Sequence, residues 1–148
     1  MYKQSVVVIK GSRSDKAYCN NLGAYLEDNG MNVIHRTASA HRTPNLVLNI
    51  LNDYKDSEDV VAIITVAGLS DALSGMVAAN STKPVIAFPP DLGKYGDAKV
   101  FSSTKLPGGV KVSLARNNEE LLNLIKEKSL QAVYSPPEIS GRRLKIVE

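Results

Sequence analysis

The segment Ser39-Ala40-His41-Arg42-Thr43-Pro44 sets an imidazole beside a guanidinium immediately ahead of a helix start. Imidazole exchanges protons near neutral pH, and guanidinium grips phosphate through paired N–H groups. A second polar segment, Gly11-Ser12-Arg13-Ser14-Asp15, supplies hydroxyls and the free N–H groups of another helix start, which is a competent anion site. It has neither the lysine of a Walker loop nor the spacing of a dinucleotide fingerprint, so plain helix capping is the alternative. A carboxylate beside phosphate is repelled, which assigns Asp15 to ribose hydroxyls instead. The combination points to proton chemistry on a small phosphorylated substrate. The blander alternatives are that His41 caps a loop and that Arg42 makes a structural ion pair.

A third segment, running from Ala67 and Gly68 through Ser70, Asp71, Leu73 and Ser74 to Gly75, is rich in small residues. Its functional reading is a small backbone-lined pocket in which the Ser70 and Ser74 hydroxyls and helix-start N–H groups hold a carboxylate or carbon dioxide. Asp71 is unhelpful there unless it is protonated or turned away. The structural alternative is close packing of helix against strand. A further stretch, Ser102-Ser103 with Lys105-Leu106-Pro107-Gly108-Gly109, reads as another loop near the same rim.

These segments need a frame. Residues 6–10 read as a first strand, followed by a capping box at Ser12 and Asp15 and a helix with Ala17, Tyr18, Leu22, Tyr25 and Leu26 on one side, stopping before Gly30. Residues 31–37 form a second strand. Thr43 and Pro44 open the next helix as cap and first residue, with Leu46, Val47, Ile50, Leu51 and Tyr54 as its apolar stripe. Residues 60–66, 84–88 and 110–115 are further strands, and Asn117 or Asn118 caps the last helix. A loop or short helix covers residues 91–103, and Pro89-Pro90 ends the fourth strand. Five strands alternating with helices predict a three-layer αβα protein: a doubly wound parallel sheet of flavodoxin-like layout. Ligands of such sheets bind outside the carboxyl ends of the strands, where the three polar segments fall together.

Composition sets bounds. The chain has 148 residues, and 43% are hydrophobic, enough for one domain with a real core. Aromatics are only 5% and Trp is absent, so aliphatic side chains fill that core. The net charge is +3 with basic residues scattered, which argues against a nucleic-acid partner. Cys19 is the single cysteine, so no internal disulfide and no zinc cluster is expected; it reads as a buried thiol. No apolar run approaches the ~20 residues of a membrane span, and the start of the chain leaves no room for a signal peptide, so the expected location is cytoplasmic. Residues 1–130 form the expected catalytic domain. Residues 131–148, with Pro136-Pro137, Gly141 and a basic run from Arg142, read as a flexible end, a swapped arm or an edge strand, with a contact between subunits favoured.

The chain resembles the PurE family, the aminoimidazole ribonucleotide carboxylases and mutases of purine biosynthesis. Gly11-Ser12-Arg13-Ser14-Asp15 is similar to its G-S-x-S-D loop, and Ser39-Ala40-His41-Arg42-Thr43-Pro44 to its S-A-H-R-T-P motif. The segment from Ala67 to Met76 falls where the family has its third glycine-rich loop, and Ser102-Ser103 with Leu106-Pro107-Gly108-Gly109 resembles a fourth block. The resemblance implies the αβα fold, a homo-octamer with sites near subunit boundaries, and carboxylation at carbon four of an aminoimidazole ribonucleotide. It implies that Ser12, Asp15 and Arg42 bind the ribose phosphate, helped by Ser14, Ser39, Ala40 and the third loop. It implies that His41 shuttles the proton at carbon four, and that no metal or organic cofactor takes part. Mutases of the family, which start from the N5-carboxyamino isomer, read A-G-G-A-A-H-L-P-G in the third loop. Here Leu69, Ala72 and Ser74 replace the glycine, histidine and proline, and Ser70-Asp71-Ala72-Leu73-Ser74-Gly75 is closer to the R-S-N-A-L-S-G of the branch that takes carbon dioxide directly. Arg42, by contrast, is the choice of the mutase branch.

Overall fold

A computed structural model describes residues 3–128. Its strands are β1 (Ser5–Lys10), β2 (Asn32–Thr37), β3 (Val60–Val66), β4 (Val85–Ala87) and β5 (Ser113–Leu114). Its helices are α1 (Lys16–Asp28), α2 (Pro44–Tyr54), α3 (Leu73–Ala79), α4 (Leu92–Thr104) and α5 (Asn118–Lys128). All strand pairs are parallel, in the order β2-β1-β3-β4-β5. The flavodoxin-like arrangement expected from the sequence is the one observed.

Strand alternation builds the three layers. Val6 and Val8 of β1, with Ala62 and Ile64 of β3, face Cys19, Leu22 and Leu26 of α1 and Leu121 and Ile125 of α5. Val7, Ile9 and Ile63 face the other way, onto Val47 and Ile50 of α2 and Leu73 and Val77 of α3. The residues of β1 from Val6 to Ile9 are fully buried, which is why that run is apolar at every position rather than at every second one.

Chain punctuation follows local chemistry. Helix α1 ends at Gly30, whose φ of 85° is left-handed. The Gly30 N–H bonds the Glu27 carbonyl at 3.0 Å and the Met31 N–H bonds Leu26 at 3.0 Å, a paired closure that a β-carbon would strain. Asn117, not Asn118, caps α5: its side chain accepts the Glu120 N–H at 2.9 Å, while the Glu120 carboxylate accepts the Arg116 N–H at 2.9 Å. Within α1, Ala17 is exposed, and Cys19 and Gly23 take the buried places.

Three expectations change. Strand β5 has two residues rather than six, because its partner β4 begins only after Pro84, which has no N–H to extend a ladder. Residues 92–104 are a helix, kinked at Gly96 where φ is 39°, so Ser102 and Ser103 are helical rather than part of a loop. At the start of α1, Ser12 accepts the Ser14 N–H at 3.3 Å in a 3₁₀ turn over Arg13–Asp15, and Asp15 makes no capping bond. The anticipated contact role of residues 131–148 lies outside the described residues.

Candidate active site

In the order β2-β1-β3, successive connections leave β1 in opposite directions, which opens a crevice above its carboxyl end. The strand ends are tied there: the Gly11 N–H bonds the Val66 carbonyl at 2.9 Å and the Ala38 N–H bonds Lys10 at 3.0 Å. The loops that follow β1, β2 and β3 converge on one cavity of about 570 Å³, within the range of small-ligand sites. Ser12, Ser14, Asp15, Ser39, Ala40, His41, Arg42, Ala67, Gly68, Ser70 and Leu73 line it. Ser74 and Gly75 do not. Ser74 is wholly buried beneath the loop, and a β-carbon on Gly75 would come within 2.8 Å of Leu106, so that glycine serves packing.

The loop after β2 is shaped by its own side chains. Ser39 Oγ accepts the Arg42 N–H at 3.1 Å, and Thr43 Oγ1 accepts the Ser39 N–H at 2.8 Å. Thr43 was expected to cap α2; its hydroxyl turns back to Ser39 and makes no cap bond. The lock presents His41 and Arg42 as exposed neighbours on the cavity wall. The Arg42 guanidinium donates to the Gly11 carbonyl at 3.2 Å, which ties the second loop to the first. It also stands between the main cavity and an adjoining one of about 430 Å³ lined by Arg13, Thr37 and Leu46. In the first loop Ser12 Oγ and Ser14 Oγ lie 2.9 Å apart, with the Asp15 carboxyl beside them in the cavity wall. Burial, followed by the negative charge of Asp91, holds that carboxyl above the usual range, and Lys99 offsets part of the effect.

The third loop rests on buried charge. Asp71, 3% exposed, accepts the Ser74 N–H at 3.0 Å, the Ser74 hydroxyl at 2.6 Å and the Ser103 hydroxyl at 2.5 Å. Its carboxylate is thus turned away from the cavity. Thr65 Oγ1 lies 2.7 Å from Ser74 Oγ, and since Ser74 gives its proton to Asp71, Thr65 is the donor. Leu69 sits at φ 59°, a left-handed conformation that costs a branched residue roughly 1–3 kcal/mol. Asp91 Oδ2 accepts the Leu69 N–H at 2.6 Å, and Lys99 donates to the Ala67 and Leu69 carbonyls.

Sequence reasoning missed Asp91 and Lys99, and it named Leu69 and Ser103 without foreseeing their parts in the third loop. Asp91 directly after Pro89-Pro90 at a strand's carboxyl end was the one available signal. Lys99 gave none, since a helical lysine ordinarily reads as solvated. Nearby, the Tyr18 hydroxyl donates to the Pro89 carbonyl at 3.2 Å and its ring lies 5.2 Å from Phe88. Burial raises the Tyr18 phenol, so it remains a donor, and lifts the Cys19 thiol to about 11, leaving it unreactive. His35 lies outside the cavity, its ring edge laid on Gly23, where a β-carbon would meet Nε2 at 2.9 Å. Among the described residues no group of three His, Cys, Asp or Glu could hold a metal ion.

A flavodoxin-like sheet with its polar loops gathered at one carboxyl rim defines an α/β protein with a composite ligand cleft at that rim. A family model described as AIR carboxylase matches residues 5–123, and the chain belongs to that family. It is 51% identical over 104 residues to the phosphoribosylaminoimidazole carboxylase of Archaeoglobus fulgidus, covering 70% of this chain and 57% of that relative. It is 40% identical over 108 residues to the N5-carboxyaminoimidazole ribonucleotide mutase of Methanocaldococcus jannaschii, covering 73% and 66%. The chain therefore spans between about three fifths and two thirds of the length of these two relatives. The crystal structure of Treponema denticola PurE superposes with a TM-score of 0.72 at 27% identity, covering 84% of this chain and 88% of that one.

Proposed function

We propose that this chain carboxylates 5-aminoimidazole ribonucleotide at carbon four with carbon dioxide, giving 4-carboxy-5-aminoimidazole ribonucleotide for purine biosynthesis. The observation that supports this most is the meeting of His41, Arg42, Ser12 and the Gly68–Leu73 loop in one cavity. Arg42, Ser12 and Ser14 bind the phosphate, and Asp15 accepts from the ribose. The aminoimidazole ring is electron-rich, and carbon four behaves as an enamine carbon. It attacks the carbon of carbon dioxide; the new C–C bond forms as one C–O π pair moves onto oxygen. The proton on carbon four passes to His41, which returns it to water. Holding the two reactants together lowers such a barrier by up to about 7–11 kcal/mol. A positioned imidazole adds typically ~10²- to 10⁴-fold.

The second reading is the mutase, which makes the same product from the N5-carboxyamino isomer. Arg42 and the relative from Methanocaldococcus jannaschii favour it. The absence of a histidine from residues 67–75, with Ala72 in its place, favours the direct carboxylase. An assay with each ribonucleotide, with and without bicarbonate, separates the two. Product formed from the aminoimidazole ribonucleotide in proportion to carbon dioxide is the expected result. Turnover of the N5-carboxyamino isomer alone overturns the choice of donor, and turnover of neither overturns the enzymatic reading.

The same proposal includes self-association, as a homo-octamer in the cytoplasm. His41 and Arg42 stand exposed in the single chain, and Leu69 and Phe101 are apolar yet 68% exposed. Light scattering on the purified chain checks it. No helix among the described residues is long and apolar enough to cross a membrane.

A further inference from the structure

Lys99 is 1% exposed and borders no part of the site cavity. Its ammonium donates to the Ala67 and Leu69 carbonyls and forms an ion pair with Asp91 Oδ1 at 3.2 Å. Asp91 Oδ2 holds the Leu69 N–H. Leu69 is thus gripped at amide and carbonyl by opposite charges that also grip each other.

The consequence lies on the far side of the loop. The peptide bonds are trans, so each carbonyl runs antiparallel to the N–H of the next residue. Aiming the Ala67 and Leu69 carbonyls at Lys99 turns the N–H groups of Gly68 and Ser70 the opposite way. Both residues line the cavity, and neither N–H has an acceptor among the described residues. Preset N–H groups of this kind stabilise charge that develops on oxygen without reorganising during the reaction.

We infer that Lys99 and Asp91 are positioning residues, which hold the Gly68 and Ser70 N–H groups toward the carboxyl group being transferred. The identity of that group rests on the carboxylation reading; the loop geometry does not. Lys99→Met lowers kcat by about 10²-fold, the scale of a lost oxyanion donor, while calorimetric affinity for the uncarboxylated ribonucleotide stays within about threefold. Adding Leu69→Gly to Lys99→Met restores part of kcat, because glycine takes the left-handed turn without a grip. A purely structural role gives no such split and no such rescue. Unchanged kcat in Lys99→Met, or a loss of kcat matched by an equal loss of ribonucleotide affinity, overturns the inference. If Lys99→Met fails to fold, Asp91→Ala carries the same comparison. Amide exchange of Leu69 is read alongside: it accelerates in either variant, and unchanged exchange overturns the inference even if the unaltered chain turns over neither donor.

Discussion

The two walls of the cleft are held by opposite means. The wall made by residues 11–15 and 39–43 is exposed and shaped by serine and threonine hydroxyls bonding backbone two to four residues away. The wall made by residues 67–73 is shaped from beneath, by Asp71 and Lys99, both at least 97% buried and bonded to α3, α4 and the loop across separations of up to 32 residues. Groups that must meet a mobile, charged ligand sit where water can reach them and where removing a side chain costs the fold little. Groups that only fix a backbone shape sit where water cannot compete. Substitutions on the first wall should therefore act on chemistry and binding, and substitutions beneath the second on stability and, at Lys99 and Asp91, on turnover through the shape of the loop backbone.

His41→Asn is the strongest test of that division. Turnover falls by about 10²- to 10⁴-fold in a bicarbonate-dependent assay, with the melting temperature unmoved; a stability loss would show that the first wall is also structural. Asp71→Ala orphans three buried donors and destabilises the chain by about 2–4 kcal/mol in urea unfolding. Arg42→Ala removes a charge-assisted phosphate contact and weakens ribonucleotide affinity by about 10- to 100-fold by calorimetry, again without a stability change.

The smallest effect blurs the division in an informative way. The Asp15 carboxyl is raised above its ordinary 3.8 by burial and by Asp91. The folded chain therefore holds that proton more tightly than the unfolded one. Stability falls as pH rises through the window from 3.8 up to the raised value, and the deficit persists above it. Asp15→Asn removes the deficit: the melting temperature near neutral pH rises slightly, the decline across the window flattens, and ribonucleotide affinity drops. Asp15 then belongs to the first wall by function while carrying a stability cost of the second kind.

The same contrast explains what could be read from residues alone. The strands and the cleft's first wall follow from local pattern. The all-apolar run at 6–9, Gly30 after α1 and Pro44 at the start of α2 each act within a few residues. Ser39, His41, Arg42 and Thr43 belong to one turn. The short β5 was not legible, because Pro84 of its neighbouring strand sets it, and the 92–104 segment was left between loop and short helix, because a kink at Gly96 interrupts its periodicity. Ser74 was expected at the ligand because a hydroxyl beside a glycine-rich loop suits an anion; its contact with Thr65 of β3, and the Ser103 bond that helps bury its neighbour Asp71, come from elements brought together only by folding. Lys99 was invisible for the same reason.

The ion pair beneath Leu69 also constrains how such a sequence can drift. Losing Asp91 strands an ammonium that is 1% exposed and losing Lys99 strands a carboxylate that is 18% exposed, while exchanging both for apolar residues leaves the Leu69 N–H and the Ala67 and Leu69 carbonyls without these partners. Positions 91 and 99 are accordingly constrained as a unit, and a variant that dispenses with one needs another residue to hold residue 69 in its turn.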